Sequence, residues 1–144
     1  MEKDFVVSFF FVNFVTNIVI NPLNKEKNIM NSNMEKPYVV GIDIGGTNTV
    51  FGIVDARGTV IASDSIKTGA YADVETYVDE VCKNLLPLLE ANGGRDKVKG
   101  IGVGAPNGNY YTGTIEFAPN LPWKGVIPLA TLFEERLGIP TALT

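Results

Sequence analysis

From residue 38 onward, apolar positions fall in short β-type runs and then at helical spacing. Tyr38-Val39-Val40-Gly41-Ile42-Asp43-Ile44 is β-branched and almost wholly apolar, which predicts a largely buried strand. Residues 49–54 (Thr-Val-Phe-Gly-Ile-Val) and 59–66 (Thr-Val-Ile-Ala-Ser-Asp-Ser-Ile) predict two more. The first pair is joined by Gly45-Gly46-Thr47-Asn48, the second by Asp55-Ala56-Arg57-Gly58, a turn with Asp first and Gly last. Connections this short imply an antiparallel three-strand meander. Asp73 is placed to cap a helix running to about Asn92, since Val74, Tyr77, Val78, Val81, Leu85, Leu88 and Leu89 recur at helical spacing and Gly93-Gly94 stops it. Pro87 removes one backbone donor and is expected to bend the last turn. Residues 97–103 predict a fourth strand, 104–128 a long loop rich in Gly, Asn, Pro and Tyr, and 129–137 a second helix ended by Gly138. A fifth strand starts at 139–143, where the sequence stops. The order β-β-β-α-β-α-β is an α/β layer with a mixed sheet, truncated in the fifth strand, over residues 34–144.

Residues 1–33 follow a different pattern. The run Phe5 to Ile20 is apolar apart from Ser8, Asn13, Thr16 and Asn17, and an Asn/Lys-rich stretch follows it. A spanning helix needs roughly 20 apolar residues, and a signal peptide needs a basic start and a small-residue cleavage site. Neither pattern is met: the run is sixteen residues with Asn13 and Asn17 inside, Glu2 and Asp4 flank Lys3, and no small-residue cleavage site follows. Three readings stand: a weak signal or anchor, a native extra strand or helix, or an upstream extension outside the fold. The last is preferred, because Met34-Glu35-Lys36-Pro37 leads directly into the first patterned strand.

Composition narrows the chemistry. The 144 residues are 45% hydrophobic and 19% charged, enough to bury one modest core. One cysteine, Cys82, excludes an internal disulfide framework. No histidine removes Ser–His and Cys–His nucleophile systems, His-based zinc sites and a histidine general base. A net charge of −4 gives no basic footprint for nucleic acid.

The most informative segment is Gly41-Ile42-Asp43-Ile44-Gly45-Gly46-Thr47-Asn48. A strand delivers Asp43 near its end, and two glycines fold the chain back. Glycines tolerate positive φ and let backbone N–H groups approach an anion, and Thr47 adds a hydroxyl donor. Asp43 could hold a hydrated Mg²⁺ beside phosphates. The segment is no P-loop, since G-x-x-x-x-G-K-[ST] is absent and a strand follows. A plain Gly-Gly hairpin is the alternative. A carboxylate between Ile42 and Ile44 favours the phosphate reading, because it is costly without a partner.

Ala105-Pro106-Asn107-Gly108-Asn109 follows the fourth strand, where open α/β sheets place ligands. Asn side chains supply donors and acceptors suited to sugar hydroxyls. Gly100-x-Gly102-x-x-Ala105 fits a loose dinucleotide pattern, but Pro106 and a loop follow instead of a helix, so that fingerprint is rejected. Trp123 has two readings, a platform for a sugar face or an anchor under the loop.

Gly41-Ile42-Asp43-Ile44-Gly45-Gly46-Thr47, Gly100-Ile101-Gly102-Val103-Gly104-Ala105-Pro106-Asn107-Gly108, Asn120-Leu121-Pro122-Trp123 and Leu137-Gly138-Ile139-Pro140-Thr141 occur in that order. In this series the sequence resembles the ROK family of sugar kinases and repressors, and most of all its bacterial glucokinases. The resemblance covers nearly all of 34–144. It implies the N-terminal lobe of an actin/hexokinase-like (ribonuclease H-like) ATPase, ATP and Mg²⁺ as cofactors, and a cytoplasmic homo-oligomer without nucleic-acid or membrane partners. It assigns Asp43, Gly45, Gly46, Thr47 and Asn48 to the nucleotide and metal, and Asn107, Gly108 and Asn120 to the sugar. Asn48 is a departure, since members often carry Lys there. The resemblance also implies that the catalytic Asp, in an Asn-Asp pair after the strand beginning at Ile139, lies beyond Thr144. The family's zinc motif has no support in a chain with no His and one Cys. The intact protein is thus expected to phosphorylate a hexose, glucose first, and this chain alone to be inactive. Two alternatives are a sugar-responsive repressor, which needs a helix-turn-helix that residues 1–33 do not suggest, and a non-catalytic sugar- or nucleotide-binding module.

Overall fold

The computed structural model describes residues 36–144, so the three readings of residues 1–33 lie outside the described residues. Strands β1 (Tyr38–Ile44), β2 (Asn48–Asp55) and β3 (Val60–Lys67) form the meander, followed by helix α1 (Val74–Glu90) and strand β4 (Val98–Gly104). Three short strands come next: β5 (Gly108–Asn109), β6 (Thr114–Glu116) and β7 (Val126–Ile127). Helix α2 (Leu129–Leu137) and strand β8 (Thr141–Leu143) complete the order. The main sheet runs β3-β2-β1-β4-β8. Strand β1 pairs antiparallel with β2 and parallel with β4, and β4 pairs parallel with β8. This is the mixed α/β sheet expected, with one addition. The stretch read as a single loop, 104–128, holds a second sheet, β5-β6-β7. Its strands are two or three residues long, too short to leave an alternating pattern.

One side of the main sheet faces the helices. Val40, Ile42 and Ile44 of β1, Phe51 and Ile53 of β2, and Ile101 and Val103 of β4 pack with Val78, Val81, Leu85 and Leu89 of α1 and Leu129, Phe133 and Leu137 of α2. The strand period of two delivers this face, and the helical spacing of α1 supplies its cover.

The turns follow their sequence chemistry. Asp55 Oδ1 accepts from the Arg57 and Thr59 amides at 2.8 and 3.0 Å, and Gly58 takes φ 83°. Asp73 Oδ2 accepts from the Thr76 amide at 2.9 Å, capping α1, and that bond holds its carboxyl below the usual carboxylate value. Gly94 closes the far end of α1 at φ 85°, its amide donating to Leu89 O at 2.8 Å. Gly138 ends α2 in the left-handed region at φ 65°. Arg136 of α2 bridges Glu75 and Asp79 of α1, clasping the two helices. No helix among the described residues is long and apolar enough to cross a membrane.

Candidate functional site

Parallel neighbours end together, and this decides where a ligand would meet the sheet. Asp43 near the end of β1 lies opposite Gly104 at the end of β4, and Val103 lies opposite Leu143 of β8. The main chain past β8 continues the ladder, with the Thr144 amide donating to Val103 O at 2.9 Å and the Ala105 amide to Thr144 O at 3.0 Å. Gly45, Ala105 and Thr144 therefore emerge at one edge, the carboxyl ends of three adjacent parallel strands.

The 45–48 turn is closed by the Gly45 amide donating to Asn48 O at 2.9 Å. Gly46, Thr47 and Asn48 are exposed. Among the described residues, the amides of Gly46 and Thr47 donate to no acceptor. Two unbonded amides on one exposed bend, with the Thr47 hydroxyl beside them, are free to donate to an anion. The role expected of the glycines needs correction. Neither Gly45 nor Gly46 has positive φ. They are required by close approach: a Cβ on Gly45 would lie 2.9 Å from Asn48 O, and one on Gly46 would lie 3.2 Å from Asn120 O.

That last distance joins two segments 74 positions apart in the sequence. The bend at Gly46 packs directly on the backbone of Asn120, whose residue is exposed. Gly108 is held as tightly, since a Cβ there would stand 2.5 Å from Thr144 O. Gly46, Asn120, Gly108 and the end of β8 thus gather along one rim.

Asn107 is placed differently from a free ligand group. Its Nδ2 donates to Glu116 O at 3.0 Å and to Phe117 O at 3.1 Å, so both amide hydrogens hold the chain and only Oδ1 is left to accept. Asn107 itself takes φ 54°, and Phe117, 71% exposed, takes φ 53°. Asn visits the left-handed region readily; an aromatic residue there is uncommon.

Asp43 is partly buried, and burial raises its carboxyl above the ordinary carboxylate value. No side-chain donor among the described residues bonds it. The described residues hold no cluster of three or more acidic, Cys or His ligands, so a cation at Asp43 would keep most of its water or share phosphate oxygens. That suits a hydrated Mg²⁺. A partly buried carboxylate with no side-chain donor, near the end of the strand that leads into the bend, fits such an ion.

The structure decides between the two readings of Trp123. The side chain is 4% exposed, its Nε1 donates to Tyr71 O at 3.1 Å, and its ring lies 4.3 Å from that of Tyr77. It anchors the loop from beneath and offers no face to a sugar. Sequence reasoning missed its partners. Thr49 Oγ1 bonds Tyr77 Oη and Thr68 Oγ1, each at 2.8 Å, and all three residues are fully buried. The signal was there: Thr49 is a polar residue on the period-two face that the apolar Phe51 and Ile53 continue.

The sequence model of the ROK family matches residues 39–144. A glucokinase of Streptomyces coelicolor is 30% identical over 105 residues, 72% of this chain and 31% of that protein. A glucomannokinase sequence from Segatella bryantii is 68% identical over 25 residues, 17% of this chain and all of that sequence. The crystal structure of a ROK glucokinase from Streptomyces griseus, in complex with glucose and AMPPNP, superposes with a TM-score of 0.62 at 30% identity. That match covers 74% of this chain and 32% of the other. The chain spans about a third of the length of the relatives it matches.

Proposed function

The chain belongs to the ROK family, and from that premise we propose that the intact protein transfers the γ-phosphoryl group of ATP to a hexose, with glucose as substrate. Residues 34–144 supply the nucleotide-facing bend and part of the sugar pocket of its N-terminal lobe. The observation that carries the reading is the contact of Gly46 with Asn120. It sets a bend with exposed amides against a loop whose exposed Asn can bond hydroxyls, as in-line transfer between two bound substrates requires.

Each side chain then has a task. The amides of Gly46 and Thr47 and the Thr47 hydroxyl donate to phosphate oxygens, where charge develops during transfer. Asn48, next on the same exposed stretch, donates from its side-chain amide. Asp43 holds a hydrated Mg²⁺, which when bound offsets phosphate charge. Asn120 and the Gly108 backbone orient the sugar, and Asn107 contributes by fixing the 116–117 backbone and by its free Oδ1.

The proton of the attacking hydroxyl needs a base. Among the described residues, the carboxylates that carry hydrogen bonds are spent on structure: Asp55 on its turn, Asp64 on the Ser65 amide within β3, Asp73 on the α1 cap, Glu80 on Asn84, Glu116 on Asn109 and Thr114, and Glu134 on the Thr141 amide. Glu75 and Asp79 hold Arg136. The base is proposed to follow Thr144, whose backbone rests against Gly108.

Calorimetric titration of the chain with glucose and with Mg·AMPPNP tests this reading, together with a coupled ADP-release assay. Binding of both ligands without turnover is expected. Turnover by the chain alone would overturn the placement of the base, and failure of both ligands to bind would overturn the site.

A further inference from the structure

A buried polar line runs beneath the rim that joins the two loops. Thr49 Oγ1 lies at its centre, 2.8 Å from Tyr77 Oη and 2.8 Å from Thr68 Oγ1. A hydroxyl has one donor and two acceptor sites, so Thr49 can serve both neighbours at once. Thr68 continues the line to the bend, its amide donating to Thr47 O at 3.0 Å. On the other side the Tyr77 ring lies 4.3 Å from the Trp123 ring, whose Nε1 is tied to Tyr71 O. Trp123 follows Asn120 by three residues. Every member between the two loops is closed to solvent, with Thr49, Thr68 and Tyr77 at 0% and Trp123 at 4%.

A polar network this deep is costly to leave half-made and stiff when complete. Burial drives the Tyr77 phenol well above its ordinary value, so it stays neutral and keeps its hydrogen bond across the accessible pH range. The line also spans separate elements: Thr49 on β2, Thr68 after β3, Tyr77 on α1 and Trp123 in the loop before β7. The direct contact at the surface, Gly46 against Asn120, closes the circuit above it.

We propose that Tyr77 is a positioning residue that, through Thr49 and Trp123, locks the 45–48 bend and the Asn120 loop into one rigid unit, so that occupancy of either is felt at the other. The inference rests on the proposed nucleotide and sugar roles of those loops and adds their energetic coupling. Neither ligand touches Tyr77. Its effect is exerted wholly through the two loops it holds.

The test uses the full chain and the variant Tyr77→Phe, which removes the hydroxyl and leaves the ring on Trp123. Ile139→Val serves as the control, a buried truncation of similar cost at the opposite end of the sheet. In amide hydrogen exchange, Tyr77→Phe is expected to accelerate exchange of the Thr68 amide about tenfold relative to Ile139→Val, the effect of losing one buried hydrogen bond. In amide correlation spectra it shifts Thr47, Asn48 and Asn120, while Ile139→Val leaves them in place. Titrations supply the readout that a merely structural role would not move. In the unaltered chain and in Ile139→Val, saturating glucose raises the affinity for Mg·AMPPNP several-fold; in Tyr77→Phe that factor falls toward one. Equal exchange and unshifted loop amides in the two variants would overturn the strut. A glucose effect of the same size in Tyr77→Phe would overturn the coupling. Failure of both ligands to perturb the unaltered chain would overturn the proposed function itself, and the exchange data would still judge the strut.

Discussion

Replacing Gly45 by alanine strikes the nucleotide-facing bend where it is tightest. The added Cβ would stand 2.9 Å from Asn48 O, closer than real Cβ atoms come to a backbone oxygen. That oxygen cannot swing aside cheaply, because it accepts the Gly45 amide at 2.9 Å and Asn48 is paired with Lys67 across the sheet. Gly45 has no positive φ, so the backbone itself tolerates alanine and the whole cost comes from the contact. Inserting one methyl group into such a site costs about 1–3 kcal/mol. For a domain of this size that lowers Tm by roughly 4–8 °C per kcal/mol. Gly69→Ala is the matched control: nothing lies within 4 Å of its Cβ position and its φ is ordinary. There the lost chain entropy of the unfolded state should stabilise the protein by about 0.4–1 kcal/mol. Gly46→Ala falls between, because its contact at 3.2 Å asks the neighbouring backbone to give by only a few tenths of an ångström. Denaturant unfolding measures all three, with Mg·AMPPNP affinity beside it. Gly45→Ala should lose both stability and nucleotide, Gly46→Ala mainly nucleotide, and Gly69→Ala neither. A Gly45→Ala protein as stable as Gly69→Ala would refute the steric argument.

Asp43→Asn should stabilise the ligand-free chain at neutral pH while weakening Mg·AMPPNP binding. The folded-state pKa of Asp43 is raised, so its contribution favours folding below the ordinary carboxylate value and is lost as pH rises through the raised one. The stability gap between variant and parent should therefore close on acidification, and a gap that widens would count against the desolvation argument. Trp123→Phe removes the bond to Tyr71 O and part of the buried ring, and should cost about 1–3 kcal/mol in denaturant unfolding; an unchanged midpoint would contradict the anchoring role. Arg136→Met should cost about 0.5 kcal/mol at low salt and less at high salt, because both carboxylate partners are largely exposed. Cys82, buried on α1 with its thiol pushed up to about 11, should react with a thiol reagent at neutral pH only as fast as the fold opens. Rapid labelling of the native chain would contradict its burial.

Elements governed by local chemistry were legible in the sequence. Asp55 and Gly58, Asp73, Gly93-Gly94 and Gly138 announce turns, caps and stops through short-range hydrogen bonds and backbone freedom, and the structure puts each to that use. The meander follows from connection length and the mixed sheet from the α/β pattern; that β4 pairs with β1 is seen only in the structure. What stayed hidden depends on distant partners. Gly46 reads as a flexible bend until Asn120 is seen against it. Asn107 reads as a free polar side chain until its amide is found holding Glu116 O and Phe117 O. Tyr77 reads as one more apolar position on a helix face, because nothing nearby in sequence reveals that Thr49 meets its hydroxyl. The small β5-β6-β7 sheet was invisible for a different reason: strands of two or three residues are too short to carry a side-chain period.

The most direct measurement is a crystal structure of the chain grown with Mg·AMPPNP and glucose. Phosphate oxygens are expected within hydrogen-bond distance of the Gly46 and Thr47 amides, with a glucose hydroxyl on the Asn120 side chain across the contact between them. Phosphates seated elsewhere, or a 45–48 bend left empty while glucose occupies its pocket, would contradict the proposed site.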